Sequence, residues 1–475
     1  MLAALAVALI ALKAMLVQAA GVDLHYDEAQ YWEWSRQLDW SYYSKGPLVA
    51  WLIALSEGLF GHGNWQVRLP AWLGFDALLV VIFLFARDVW SDRGAAWWAV
   101  ILALFTPMYF TLGLVMTTDI WLFLCWTLGL WAMYRALIKE RPRAWYGAGI
   151  AVGAGALTKL SIGLLPAGVG IAVLVHRRWR HHLRRPPLWI GLLLMVLIMS
   201  PVLIWNAQHG WVMMHHEVGH FGETHWSVTR ALVFLAGQVG AMSPLVVLVG
   251  ASIFRRLPAG EGPRLLWALS LGWLGFFLIK ALTAKVQVNW PAPCYISLLI
   301  LLSGHIADLP RWKRTTLFTG LGLAVAVMVV AYLPYTFGLT NHQDPFKDTR
   351  AWRAPVRTLS TEAPPAGFIL TPNYKVAAEV AFYWPRVVPV YVAGSAERRF
   401  NQHDLWPSID REAGRNGLWI STSPAAPPQL ALGFAHCAPL PAVNAVTPDG
   451  KILRTFYILD CRDYRPIPWP QPQSY

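Results

Sequence analysis

Long apolar runs of roughly 15 to 20 residues, separated by short polar segments, fill the chain as far as about residue 336. A hydrocarbon core about 30 Å thick is crossed by about 20 apolar residues of helix, so the pattern predicts a mainly α-helical, polytopic transmembrane bundle. Strands of a membrane β-barrel would alternate instead. The segment at 47–60 is short for a span and is predicted to be an interfacial or re-entrant helix. We predict about eleven spans, at 2–20, 69–85, 95–112, 120–137, 145–157, 162–175, 188–205, 231–254, 265–282, 295–306 and 317–333.

Arginine and lysine concentrate in five loops that alternate along this series of spans. The positive-inside rule assigns such loops to the cytoplasm, so the N-terminus is predicted to be cytoplasmic and the segment beyond residue 335 to lie outside. In a bacterium this orientation corresponds to an inner-membrane protein with a periplasmic tail. The basic loops contain Arg87 and Arg93; Lys139, Arg141 and Arg143; Arg177, Arg178, Arg180, Arg184 and Arg185; Arg255, Arg256 and Arg264; and Arg311, Lys313 and Arg314.

Composition supports the same class of protein. Of the 475 residues, 56% are hydrophobic and only 14% are charged, and the mean hydropathy is +0.42. These values exclude a soluble globular domain and a disordered chain. Lys and Arg number 39 against 26 Asp and Glu, but the excess lies in the short loops, so it indicates membrane orientation and not nucleic-acid binding.

Two features inside the spans predict how helices pack. Lys13 interrupts the first span, and a lysine at the bilayer centre costs roughly 3 kcal/mol. We therefore expect it to snorkel to the interface or to pair with a carboxylate. Gly149 and Gly153 form a small-xxx-small pair, which predicts close approach of a neighbouring helix.

The composition changes at about residue 337, where the long apolar runs stop. We predict two parts, a transmembrane domain at 1–336 with outer loop helices at 24–66, and a small soluble extracytoplasmic α/β domain at 337–475. Short strand-like runs at 368–370, 387–392, 418–421 and 453–459 alternate with a helical stretch near 375–382. Because Cys437 and Cys461 fall on the oxidising side of the membrane, we hypothesise a disulfide between them.

The first outer loop combines paired carboxylates with a cation about 18 residues later. Asp27 with Gln30 fits a capping box at the start of a short helix, a structural role that also fixes Asp27 for chemistry. A carboxylate at the outer membrane face can act as general base on an acceptor hydroxyl, while Lys45 neutralises a phosphate. Glu28 and Tyr43 are predicted to bind substrate or to support this site.

Other outer loops add candidate residues. Asp119 stands at the mouth of a predicted span, where an acidic group is costly unless it is paired or used. We predict a second catalytic carboxylate, and a structural role as the partner of a cation is the alternative. In the last short outer loop, Lys285 is a candidate for the donor phosphate and Asn289 for the substrate cavity, with a structural role open for both. Arg68 is a further candidate for substrate binding or support.

A histidine-rich outer loop contains His216-Glu217-Val-Gly-His220, which matches the HExxH zinc signature. A membrane metalloprotease is therefore an alternative function, although Gly219 weakens the helix that the motif requires. A divalent metal ion near a substrate phosphate is a second reading, with Glu28, His216 and His220 as candidate ligands. Solvated histidines without a metal are the third reading. No other cofactor is predicted.

Seven motifs follow one another along nearly the whole chain: Asp27-Glu28, Tyr42-Tyr43-Ser44-Lys45-Gly46-Pro47-Leu48, Arg68-Leu69-Pro70, Thr118-Asp119, Trp205-Asn206-Ala-Gln-His209-Gly-Trp211, Asn289-Trp290-Pro291-Ala292-Pro293 and Arg399-Phe400-Asn401-Gln402. In this order they resemble bacterial family 39 glycosyltransferases, which are related to protein O-mannosyltransferases and to the aminoarabinose transferase that modifies lipid A. The chain has Gly46 where relatives often have proline.

The resemblance implies a C-type glycosyltransferase fold, a polyprenyl-phosphate sugar donor and inversion at the anomeric carbon. It assigns the base to Asp27, a structural or metal-binding role to Glu28, a second acidic role to Asp119 and the phosphate contact to Lys45. The implied partners are the lipid-linked donor, a lipid or cell-envelope glycan acceptor and membrane lipids. A polyprenyl-lipid or solute transporter is the alternative of another class.

Overall fold

The computed structural model describes residues 2–219, 225–339, 342–447 and 450–473, and the described side chains begin at residue 4. Within these ranges the chain is mainly helical and carries one five-stranded sheet. The α-helices are α1 Leu2–Ala20, α2 Tyr26–Ser35, α3 Leu48–Phe60, α4 Asn64–Trp90, α5 Arg93–Leu104, α6 Pro107–Leu112, α7 Thr118–Leu137, α8 Ala144–Ala156, α9 Leu164–Val175, α10 Pro186–Gln208, α11 Val212–Gly219, α12 Val228–Met242, α13 Pro244–Phe254, α14 Glu261–Thr283, α15 Ala292–Ser303, α16 Arg311–Tyr332, α17 Arg353–Glu362, α18 Tyr374–Tyr383 and α19 Gln429–Gly433. The strands are β1 Phe368–Thr371, β2 Val390–Val392, β3 Gly417–Ser421, β4 Phe434–Val446 and β5 Ile452–Tyr464.

Five described helices, α4, α7, α10, α14 and α16, are long and apolar enough to cross a membrane. Two bent pairs raise this number to seven if each pair forms one span. These pairs are residues 160–175 with 177–184, bent by 112°, and α12 with α13, bent by 100°. Several shorter apolar helices coincide with other predicted spans, and α3 forms at the segment predicted to be interfacial or re-entrant.

The described chain divides into two compact units. Unit 1 comprises residues 1–13, 45–49 and 68–329, and unit 2 comprises residues 14–44, 50–67 and 330–475. Each unit therefore combines segments that are far apart in the sequence.

Unit 1 is helical, and it contains both packing features that the sequence predicts, at Lys13 and at Gly149 with Gly153. Lys13 is fully buried, and its Nζ lies 3.0 Å from Asp76 Oδ1 and donates to the Trp72 carbonyl oxygen at 3.2 Å. The expected carboxylate partner is thus confirmed. Gly149 and Gly153 of α8 lie against α10, where an added Cβ on Gly149 would overlap the Gly191 carbonyl, which confirms the predicted close approach.

Unit 2 contains the sheet, in the order β2-β1-β3-β5-β4. Strands β2, β1 and β3 are parallel, whereas β5 and β4 continue the sheet antiparallel. Four strands occur where the sequence predicts them. The edge strand β4 escaped prediction because it carries Pro439 and Pro441, which are tolerated at an edge but remove ladder donors. Cys437 and Cys461 face each other across β4 and β5 and form the predicted disulfide.

Candidate functional site

The predicted carboxylate pair lies at the first turn of α2, in unit 2. The capping box there uses His25 and Glu28, so the predicted pairing of Asp27 with Gln30 is wrong. The His25 Nδ1 accepts the Asp27 amide at 3.2 Å, and Glu28 Oε2 accepts the His25 amide at 2.9 Å. In a capping box the side chain at N3 accepts a hydrogen bond from the N-cap amide. Because His25 is the N-cap residue, Glu28 occupies N3 and takes this role.

The two neighbouring carboxylates consequently have different environments. Glu28 is fully buried by its capping role, whereas the Asp27 side chain keeps 40% of its surface exposed. Its Oδ2 lies 3.6 Å from His25 Nδ1. Asp27 is therefore the carboxylate of the pair that a substrate hydroxyl can reach.

Aromatic and cationic side chains of unit 2 surround Asp27. Burial, followed by the negative charge of Asp27, raises the pKa of both Tyr26 and Tyr374. Lys375 Nζ lies 4.2 Å from the centre of the Tyr26 ring. The Arg399 guanidinium lies 5.9 Å from the Tyr374 ring, and its charge opposes that shift in pKa.

Tyr43 joins the same unit through its backbone and its ring. Its amide donates to Gln402 Oε1 at 2.7 Å, and its ring centre lies 5.8 Å from the Arg399 guanidinium. Tyr43 is 1% exposed, so these contacts define a supporting position. Two motifs separated by more than 350 residues in the sequence thus meet.

A second polar cluster lies in unit 1 and is centred on Asp119. Thr117 caps α7 by accepting the Asp119 amide, which places the carboxylate at the beginning of the helix. Asp119 Oδ1 lies 3.3 Å from Lys159 Nζ, and Oδ2 accepts a hydrogen bond from Asn289 Nδ2 at 2.8 Å. Asp119 is 5% exposed, so its charge is held by a cation and an amide in a largely buried position.

Lys45 belongs to the same unit and pairs with Glu217, with 3.1 Å between Nζ and Oε1. Burial lowers the pKa of Lys45, while Glu217 and, more weakly, Asp119 act in the opposite direction. Lys159 adds a like charge that lowers the pKa further. Lys45, Lys159, Asp119 and Glu217 therefore form one electrostatic group of two cations and two anions.

Gly46 has a specific role in placing Lys45. Its amide donates to the Thr158 carbonyl at 3.3 Å, and the Leu48 amide donates to the Leu157 carbonyl at 3.0 Å. A Cβ at position 46 would collide with the backbone of Leu157. The glycine that distinguishes this chain from the family pattern thus allows two backbone segments to touch, beside Lys45 and Lys159.

The remaining predicted residues of unit 1 have separate positions. Arg68 is 1% exposed, and it interacts with neighbouring groups. Lys285 is exposed, and among the described side chains none forms an ion pair or hydrogen bond with it. The structure thus brings Lys45, Asp119 and Asn289 together, without a contact to Lys285.

The described part of the histidine motif lies on α11. His216 is 4% exposed on this helix, α11 ends at Gly219, and His220 lies outside the described residues. Glu217 forms an ion pair with Lys45, whereas the glutamate of an HExxH protease has to activate a water molecule. In the described ranges, one group of three side chains could hold a metal, namely Glu140, His181 and His182, and it contains none of the predicted ligands. The metal assignment therefore stays a prediction.

Sequence reasoning missed Lys159 and the pairing of Glu217 as parts of this cluster. Lys159 was visible as a lone cation between two apolar segments, a position where burial requires a partner. Glu217 was hidden because the zinc signature offered another explanation for it.

Residues 44–205 match the model of the dolichyl-phosphate-mannose-protein mannosyltransferase family. This range includes Lys45, Arg68, Asp119 and Lys159, whereas Asp27, Glu28 and Asn289 lie outside it.

Two curated relatives have comparable similarity. The lipid A galacturonosyltransferase RgtD of Rhizobium johnstonii is 26% identical over 302 residues, which cover 61% of this chain and 62% of that protein. An undecaprenyl phosphate-alpha-4-amino-4-deoxy-L-arabinose arabinosyl transferase of Pseudomonas fluorescens is 25% identical over 357 residues, covering 67% of this chain and 59% of that protein. The chain thus matches about three fifths of the length of these relatives.

The crystal structure of ArnT from Cupriavidus metallidurans bound to undecaprenyl phosphate superposes with a TM-score of 0.69 at 17% identity, over 96% of this chain and 97% of that one. The apo form of the same protein gives a TM-score of 0.64. These matches establish the fold as that of a polytopic, mainly helical membrane protein. These similarities confirm the resemblance to bacterial family 39 glycosyltransferases that the sequence motifs indicate, and the superposition shows a fold like that of ArnT.

Proposed function

We propose that this protein is an integral-membrane glycosyltransferase that moves a sugar from a polyprenyl-phosphate donor to a hydroxyl of a lipid or cell-envelope glycan. The observation that carries the proposal is the difference between the two carboxylates at α2. Glu28 accepts the hydrogen bond of the capping box, whereas the Asp27 side chain is accessible to solvent. The names of the relatives, a lipid A galacturonosyltransferase and an undecaprenyl-phosphate aminoarabinose transferase, support this substrate class.

In the proposed reaction Asp27 is the general base. The acceptor oxygen attacks the anomeric carbon, its proton passes to the Asp27 carboxylate, and the bond between the anomeric carbon and the phosphate oxygen breaks. The electron pair of that bond leaves with the polyprenyl phosphate, and attack from the opposite side inverts the anomeric centre. Helix capping fixes the base in position, which lowers the entropic cost of proton transfer.

The unit 1 cluster is proposed to bind the donor phosphate. Lys45 supplies the cation, and the phosphate replaces Glu217 as its counter-ion. Asp119 is assigned to the site as the carboxylate that holds Lys159 and Asn289 in place. A fixed cation stabilises a leaving group whose negative charge grows in the transition state. Lys285 is proposed as an additional phosphate contact, with Tyr43 and Arg68 as support.

The finer topology follows from the same proposal. About eleven spans would bring the donor's lipid tail and the reacting headgroup to the outer face of the inner membrane. The N-terminus would then be cytoplasmic and residues 337–475 a periplasmic α/β domain. This orientation requires the loop with Asp27 to react with a membrane-impermeant thiol reagent in whole cells, when a cysteine is introduced beside it.

The decisive experiment mixes the purified full chain in detergent with a polyprenyl-phosphate-linked sugar and a lipid A acceptor. We expect release of free polyprenyl phosphate together with glycosylated acceptor, and loss of both products in Asp27→Asn. Asp39→Asn, in the same loop, is the matched control and should react normally. A transporter would give no product in detergent and would need sealed vesicles for any signal.

A further inference from the structure

A cavity of about 700 Å³ lies within unit 2, apart from the carboxylate pair. Its wall combines the C-terminal half of α2, the turn between α3 and α4, the flank of β2, residues of the 398–411 segment and the C-terminal 469–471 segment. The volume falls in the range of sites that enclose small organic ligands.

Indole rings form a large part of this wall. Trp32, Trp384, Trp406 and Trp469 all line the cavity. Two of them are held by their ring nitrogens, because Trp32 Nε1 donates to Glu57 at 2.8 Å and Trp469 Nε1 donates to the Tyr464 hydroxyl at 3.1 Å. Fixed indole faces offer flat apolar surfaces beside polar edges, which suit the mixed faces of a sugar ring.

The charges on the wall are unequal. Four arginines face the cavity together with two carboxylates, Glu33 and Asp404. Asp404 is neutralised by Arg398, whose Nη1 donates to it at 2.8 Å, and Glu33 lies 3.2 Å from His403 Nε2.

Two of these arginines keep their charge available. Arg386 and Arg411 line the cavity, and neither forms an ion pair within the described part of the chain. A guanidinium presents a planar fork of donors that matches carboxylate and phosphate oxygens. The cavity therefore has an excess of positive charge that would attract an anionic ligand.

The position of the cavity along α2 separates it from the proposed chemistry. Asp27 is in the first turn of α2, while Trp32 and Glu33 line the cavity from the second half and Arg36 follows directly after the helix. These lining residues follow Asp27 by five to nine positions, which corresponds to about 8 to 14 Å along a helix. A ligand in the cavity would therefore be held away from the atom that Asp27 deprotonates.

We propose that this cavity binds a saccharide that carries carboxylate or phosphate groups, as a remote part of the acceptor. The inference rests on the proposed transferase function and adds a recognition site to it. Arg386 and Arg411 bind the anionic groups, and Trp406 packs against a sugar face. Binding energy from this remote part of the acceptor helps to orient the hydroxyl that reacts.

Calorimetric titration of the full chain in detergent tests the proposal without turnover. The probes are trigalacturonate, a glucosamine disaccharide bisphosphate, neutral maltotriose and inorganic phosphate. We expect the two acidic saccharides to bind at least tenfold more tightly than maltotriose or phosphate alone, and their affinity to fall with added salt. Equal affinity for maltotriose would overturn the proposal, and so would binding of phosphate that is as tight as that of the acidic saccharides and is lost in the double variant Arg386→Gln, Arg411→Gln.

Variants locate the binding. The double variant Arg386→Gln, Arg411→Gln should weaken acidic saccharides at least tenfold, and Trp406→Ala should weaken acidic and neutral saccharides alike. Arg357→Gln, an exposed arginine of unit 2 that does not line the cavity, is the matched control and should bind normally. Unchanged affinity in the double variant contradicts the proposal, whatever the transfer assay gives.

The same titration on Asp27→Asn separates the two proposals. Retained saccharide binding without transfer in this variant supports both. Saccharide binding in the native chain with no transfer under any condition would refute the transferase and leave the saccharide site standing. Transfer with an unchanged acceptor KM in the arginine double variant would refute the cavity proposal alone.

Discussion

The carboxylate pair of unit 2 and the ion cluster of unit 1 are organised in opposite ways. At α2, a single turn of local sequence sets the arrangement: His25 caps the helix, Glu28 is buried, and Asp27 keeps an exposed side chain. In unit 1, Lys45, Asp119, Lys159, Glu217 and Asn289 come from five separate segments and are mutually paired. The comparison teaches that a base needs accessibility, which local structure can provide. A preformed anion site needs balanced charges that only distant segments can supply.

Replacing each member of the carboxylate pair gives the largest expected contrast. Asp27→Asn removes the base and should lower kcat by roughly 10²- to 10⁴-fold. Glu28→Gln keeps an oxygen that accepts the His25 amide, so turnover should stay within a few-fold of the native value. Rates are measured by release of polyprenyl phosphate, with circular dichroism as the folding control. An equal loss in both variants would show that the two carboxylates share the chemistry.

Breaking the centre of the unit 1 cluster should have the next largest effect. Asp119→Asn leaves Lys159 without its buried counter-ion, and we expect the donor KM to rise by about 10²-fold or less. Lys159→Gln should also weaken donor binding, but the double variant should be no worse than the poorer single variant because the two groups act as a pair. Strictly additive losses would contradict the pairing.

The pH dependence of donor binding sharpens the comparison further. Because burial lowers the pKa of Lys45, its ammonium loses the proton at a lower pH than an ordinary lysine. Donor affinity should therefore be complete at low pH and fall as pH rises through this lowered pKa. Lys45→Arg remains protonated and should flatten the profile. A native profile that stays level up to the ordinary lysine range would exclude Lys45 as the phosphate cation.

The smallest expected effect concerns Glu217. Glu217→Gln removes the counter-ion that the phosphate is proposed to replace, so transfer should change by less than about threefold. A membrane protease using the histidine motif would instead lose all activity in this variant. Casein hydrolysis and sugar transfer, measured on one preparation, distinguish the two outcomes.

Local and patterned features could be predicted directly. The apolar runs, the positions of four strands, the need of Lys13 for a carboxylate partner and the contact at Gly149 all depend on periodicity or on the cost of one buried charge. Strand β4 could not be predicted because its prolines imitate a loop. The capping box was misassigned because histidine is an uncommon N-cap, although the correct acidic partner stood one position away.

The sequence by itself determined the membrane class, the resemblance to a known family and the candidate residues for chemistry, because hydrophobic periodicity and motif order are properties of the linear chain. Only the tertiary structure decided which of those residues meet. Glu217 joins the cluster through Lys45, 172 residues away in the sequence, and Lys159 joins it through Asp119, 40 residues away, whereas Lys285 stays exposed. Electrostatic pairing acts over a few ångströms of space, and distance along a chain carries no information about it once helices pack.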